Sequence, residues 1–163
     1  MQITDIDVTP VAVPMDAEIK GSSYQKEYRG TLVVRVETDG GVAGEIYSGD
    51  VLDTEIGKAE RLVSFVEEDI ADVLVGADLF RTEANWEELM ARSRRLFTYQ
   101  AGARQLFVHA IGAVDIAIWD AIGKATGQPL YRLWGGYREE TGRPRTSSRR
   151  WRTTRRWGFR GSN

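Results

Sequence analysis

Few side chains in this sequence combine type and spacing in a way that suggests chemistry. The one histidine, His109, rules out a multi-histidine zinc site within one chain. It falls on a helical pattern opposite much of the apolar stripe and reads as a structural or exposed residue. With no cysteine, neither a disulfide framework nor a thiolate metal site is possible. Gly40-Gly41-Val42-Ala43-Gly44 resembles a phosphate-cradling loop, yet it leads from one strand into another and not into a helix, so it reads as a hairpin. Asp50, Asp53 and Glu55 lack the glycine and terminal glutamate of a calcium loop and read as helix capping. Asp115 and Asp120 read as packing, a cap, or an i,i+4 pair of Asp120 with Lys124. Glu67-Glu68-Asp69 reads as a solvated helix face.

These residues must be positioned by a chain of 163 residues, long enough for one well-buried domain and short for two. A 42% hydrophobic and 28% charged composition reads as a soluble globular protein. No stretch is expected to reach the roughly 20 apolar residues of a membrane span. The opening Met1-Gln2-Ile3-Thr4-Asp5 has no basic segment followed by an apolar one, so a secretory signal is not expected and the cytoplasm is the expected location.

The β-branched run 3–13 predicts a first strand, with Pro10 placing it at a sheet edge or a bulge. Residues 14–30 are polar and aperiodic and predict a long loop. In 31–38, Leu32, Val34 and Val36 alternate with Arg35 and Glu37, the period of a half-buried strand. Asp39-Gly40-Gly41 predicts a hairpin turn with positive φ at both turn positions, and 42–47 the return strand. A helix is expected over 53–74, capped by Asp53, and a second from about Thr82 with Trp86, Leu89 and Met90 on one side. A third and longer helix carries Ala103, Leu106, Phe107, Ala110, Val114, Ala117, Ile118, Ala121, Ile122 and Ala125, and stops at Gly127 and Pro129. Strands first and helices afterwards predict an α+β fold: a three-stranded antiparallel sheet followed by a helical bundle.

Residues 141–163 break with this pattern. They hold eight arginines and no acid, whereas 1–140 holds 14 basic against 24 acidic residues, a net of −10. Lacking Val, Ile, Leu, Ala and Met, the segment cannot assemble a core, and disorder is expected of it. The abrupt change reads as a shifted reading frame. An engineered segment, or a tail that binds nucleic acid or an anionic membrane, are the other readings.

The run from Ala113-Val114-Asp115-Ile116-Ala117-Ile118-Trp119-Asp120 through Pro129-Leu130-Tyr131-Arg132-Leu133-Trp134-Gly135-Gly136 resembles the end of the capping domain in enolase-superfamily enzymes of the mandelate racemase / muconate lactonizing type. The hairpin 31–45 is similar to the second and third strands of that family, and the likeness covers residues 1 to about 138. It implies an enolase N-terminal domain-like unit over 1–138, a basic tail over 139–163, and no barrel domain. The family abstracts a proton α to a carboxylate, with Mg²⁺ offsetting the charge that develops. Its bases and metal carboxylates come from barrel strands downstream of the Gly-Gly. No catalytic and no metal-binding residue is therefore assigned in this chain, and the chain alone is expected to be inactive and to bind no metal.

What the resemblance does carry over is substrate contact, from the loops at 15–29 and 47–53. Lys20, Tyr24, Lys26 and Tyr47 are the candidate residues, since a cation or a phenol can hold an oxygen of a carboxylate-bearing substrate. Homo-oligomers or aggregation are expected through the helical face that the family buries against its barrel. Nucleic-acid and membrane partners are not expected. The alternative reading is a non-catalytic scaffold whose basic tail binds nucleic acid or lipid.

Overall fold

A computed structural model describes residues 1–20, 25–52, 56–96 and 103–136. The strands β1 (Ile3–Lys20), β2 (Gln25–Thr38) and β3 (Ala43–Leu52) form one antiparallel sheet in the order β1-β2-β3. Helix α1 (Ile56–Ser64) runs through a π-helical segment (Phe65–Ile70) into α2 (Ala71–Leu74). Then come α3 (Thr82–Leu96), α4 (Ala103–Thr126) and the short α5 (Leu130–Leu133). The expected α+β order is the observed one, and no barrel strand occurs among the described residues.

The alternation in the strands decides which sheet face meets the helices. Val8, Val34 and Ile46 stand opposite one another across the three strands. Ile6, Val8, Leu32, Val34 and Val36 are buried, whereas Thr9, Val33 and Tyr47 occupy the outer face. Against the inner face lies α4, buried through Phe107, Ala110, Ile111, Val114, Ala117, Ile118, Ala121 and Ile122. Helix α4 is long and apolar enough to cross a membrane, contrary to the sequence expectation, but half of its most apolar stretch is buried inside the domain. It is the core helix of a two-layer domain.

Gly44 sets the distance between the layers. A Cβ at this position would lie 1.9 Å from the carbonyl oxygen of Ala117 and 2.7 Å from the nitrogen of Ala121. Only a glycine opposite small helix residues permits this approach. Polar bonds fix the same contact. Asp120 Oδ2 accepts the Glu45 backbone N–H at 2.8 Å, and Lys124 Nζ donates to the Ala43 carbonyl at 2.9 Å and pairs with Asp120 at 2.6 Å. Two main-chain groups of the edge strand β3 are thereby satisfied by side chains of α4.

Three expectations for the sheet need correction. Residues 14–30 do not form a long loop, because β1 continues to Lys20 and β2 begins at Gln25, with Ile19 opposite Lys26 and a register shift after Pro14. Residues 47–52 likewise belong to β3, with Leu52 opposite Gly30. At the β2–β3 turn, positive φ falls on Gly41 alone (71°), the pattern of a three-residue loop and not of a two-residue one.

The single helix expected over 53–74 is interrupted by its π-helical segment. Its buried residues Leu62, Val66, Ile70 and Leu74 are four apart, a spacing that drifts about 40° per step round a 3.6-residue helix. The wider turn takes up that drift and keeps all four in the core. Arg92 of α3 holds the segment by donating to the Asp69 carbonyl (3.1 Å) and to Asp72 Oδ2 (2.6 Å). The proposed cap Asp53 lies outside the described residues.

Candidate functional site

The three candidate contact residues that are described do not converge. Lys20 ends β1 opposite Gln25, and Lys26 stands opposite Ile19, so both belong to the tip of the β1–β2 arm. Tyr24 lies outside the described residues, between them in sequence. Tyr47 is opposite Val33, seven residues along β2 from Lys26, or about 23 Å away. Its side chain is 77% exposed on the outer sheet face. The structure thus groups Lys20 with Lys26 and sets Tyr47 apart.

Beside Tyr47 the outer face divides into two halves. Val11, Val13 and Val33 are exposed apolar residues. Farther along, Arg35 pairs with Glu37 and with Glu45, two carboxylates that hold its guanidinium above its ordinary pKa. Such an exposed ion-pair cluster neutralises charge and offers no group for catalysis.

The helical side carries the remaining polar candidates. His109 is exposed on α4, as its place off the apolar stripe suggested. Glu67 and Glu68 are exposed, while Asp69 is engaged by Arg92. Asp115 is half-buried, and that burial, followed by the nearby charge of Glu83, pushes its carboxyl above the usual range. The described residues contain no group of three or more histidine, aspartate or glutamate side chains able to hold a metal ion. They do not provide the donor set of a divalent-cation site.

The helical face through which association is expected from the sequence does carry exposed apolar side chains. Ile116 is 53% exposed, Trp134 is 62% exposed, and Leu133 is partly so. Trp134 meets Trp119 edge to face with ring centroids 5.4 Å apart. The signal was present in the sequence, since Ile116 and Trp119 are apolar residues that fall off the main stripe of α4. Surface of this kind marks a contact with another unit.

Residues 3–135 match the family model for the mandelate racemase / muconate lactonizing enzyme N-terminal domain. A D-galactonate dehydratase family member of Streptomyces bingchenggensis is 35% identical over 108 residues, which is 66% of this chain and 24% of the relative. The crystal structure of a mandelate racemase/muconate lactonizing enzyme superposes with a TM-score of 0.74 at 38% identity, covering 84% of this chain and 35% of that one. That of an enolase from Bradyrhizobium complexed with magnesium and mandelic acid gives 0.64 at 28% identity, covering 82% and 34%. The chain therefore spans about a quarter to a third of the lengths of the proteins it matches. It belongs to the mandelate racemase / muconate lactonizing enzyme family, and the part of the family it carries is the N-terminal domain.

Proposed function

We propose that this chain is the capping, substrate-selecting part of a Mg²⁺-dependent enzyme that removes a proton α to a carboxylate, within the racemase, cycloisomerase and sugar-acid dehydratase group. The observation that carries this reading is the match of residues 3–135 to the N-terminal domain of that family. The dehydratase relative supports a sugar acid as substrate, and the mandelic acid complex supports a small carboxylate more broadly.

The chemistry limits what this part contributes. A carbon acid beside a carboxylate ionises only if a cation and a positioned base meet it. The described residues offer no such set. The role left to them is to cover the reacting site, exclude water and hold the substrate's polar groups. Lys20, Tyr24 and Lys26 are the contacts we assign to the β1–β2 arm, where two cations and a phenol suit a polyhydroxy acid. Tyr47 is the fourth, presented separately from β3.

The test is an assay of the purified 163-residue chain on D-galactonate and related sugar acids with Mg²⁺. No turnover is expected from the chain alone. Adding the remaining three-quarters or so of the Streptomyces relative as a separate polypeptide is expected to give turnover that neither piece shows. Mg²⁺-dependent turnover by the chain alone, or failure of the two pieces to associate, would overturn the reading.

A further inference from the structure

The turn between β2 and β3 carries a reactive pair of residues. Asp39 is the only aspartate or asparagine in the chain that precedes a glycine. Thr38, Asp39, Gly40 and Gly41 form a turn closed by the Gly41 N–H on the Thr38 carbonyl at 3.1 Å, and the last three of them are exposed. Gly40 has no Cβ to crowd the approach of its own nitrogen to the carboxyl before it. Its φ lies outside the left-handed region, so an alanine suits the same backbone. The nearest atoms to an added Cβ belong to the flexible side chain of Met1.

The same carboxylate fastens the start of the sheet. Asp39 Oδ1 accepts the Gln2 N–H at 2.9 Å, and the Asp39 N–H donates to the Gln2 carbonyl at 3.0 Å. The neighbours of Gln2 are tied in turn to the segment after α2. The Ile3 N–H donates to the Ala77 carbonyl at 3.0 Å, and the Leu79 N–H donates to the Met1 carbonyl at 2.9 Å. One exposed side chain therefore joins the hairpin turn to the first residues of the chain. While Gln2 holds Oδ1, the carboxyl points at that N–H and not at the Gly40 nitrogen. Opening of this one contact frees it to turn.

We propose that Asp39–Gly40 is a site of spontaneous aspartyl isomerisation, gated by the Gln2 N–H, and that its product unfastens residues 1–3 from the turn. The Gly40 nitrogen attacks Cγ of the protonated Asp39 carboxyl. An N–Cγ bond forms, the Cγ–OH bond breaks, and the hydroxyl leaves with the amide proton as water. A second water then adds to the main-chain carbonyl of the five-membered ring and breaks the old peptide bond. The chain now runs through Cγ, one methylene longer, and the carboxylate sits on Cα. Nothing is oxidised or reduced. The displaced carboxylate and the longer turn no longer match the two bonds to Gln2.

The test ages the folded full chain in heavy-oxygen water, because each opening of the ring leaves one heavy oxygen in the residue. Digestion in ordinary water and electron-transfer fragmentation then locate the label and the isoaspartate. Label is expected to accumulate at Asp39 and to stay at background at the other aspartates. Gly40→Ala, which the backbone accommodates, is expected to lose the label at residue 39. Gln2→Pro, which removes the donor, is expected to gain label there in a chain whose amide spectrum shows an intact fold. In the isomerised fraction the Ile3 and Leu79 amides are expected to exchange faster than in the parent. Label at Asp39 no higher than at the other aspartates, or unchanged by Gly40→Ala, would overturn the site. A folded Gln2→Pro chain that ages at the parent's rate would overturn the gate. Unaltered exchange at Ile3 and Leu79 would overturn the unfastening.

Discussion

Asp120 and Glu45 are 75 residues apart in sequence, yet Asp120 Oδ2 accepts the Glu45 main-chain N–H at 2.8 Å. The same carboxylate holds Lys124, whose ammonium reaches the Ala43 carbonyl two residues away along the strand. An edge strand is thereby closed along part of its open side by the helix that covers it. Replacing Asp120 by alanine removes a charge-assisted bond to main chain and leaves Lys124 without its anion. The expected cost is about 1–2 kcal/mol, since the group is partly exposed. Urea denaturation of the single and double Asp120 and Lys124 variants measures it. A non-additive pair would show that the two side chains act as one unit.

Gly44→Ala should be far more damaging than its single methyl suggests. The new carbon would meet the main chain of α4 at Ala117 and Ala121, and main chain cannot rotate away as a side chain can. The expected loss is about 3 kcal/mol or more, at the upper end of overpacking effects. An accompanying Ala117→Gly should not restore stability, because the nearest obstacle is a carbonyl oxygen and not the Ala117 methyl. Thermal unfolding of the single and double variants decides the point. Recovery in the double variant would mean that side-chain bulk sets the spacing.

These contacts show where the sequence was readable. Leu32, Val34 and Val36 announced the inner face of β2, and the long apolar stripe announced α4, because each pattern repeats with the period of its own element. Asp120 and Lys124 were readable as an i,i+4 pair, but their bonds to β3 depend on a tertiary approach that no local spacing encodes. The arm of β1 and β2 was misread as a loop. Its residues 14–30 are mostly polar and show no period of two, so the local pattern that betrays a strand is missing there. The same absence of local signal hid the separation of Tyr47 from Lys20 and Lys26, which register alone determines.

Arg92 offers a test of the π-helical segment. Its guanidinium joins the Asp69 carbonyl and the Asp72 carboxylate, so one side chain of α3 ties down the wide turn and the helix after it. Arg92→Met keeps much of the apolar stem and removes both bonds. A loss of about 1 kcal/mol is expected, limited by the exposure of Asp72. Amide hydrogen exchange should accelerate most across Phe65–Leu74. Acceleration spread evenly over the domain would instead mean that Arg92 acts only on global stability.

Asp115 gives a pH dependence whose sign follows from its surroundings. Burial, then the charge of Glu83, raises its folded-state pKa above the ordinary 3.8, so the folded protein holds this proton more tightly than the unfolded chain does. The ionised carboxylate therefore weakens the fold. Its effect is absent below the unfolded value and grows as pH rises through the folded one. Asp115→Asn should match the parent chain at the acid end of that window and exceed it in stability above, with a difference that levels off once Asp115 is fully ionised. Glu83→Gln should lower the folded pKa by removing the second cause and leave the first, giving a smaller gain of the same sign. Urea midpoints of the three proteins across a pH series measure this. A parent chain that is more stable than D115N at neutral pH would show that the carboxylate has a cationic partner in solution.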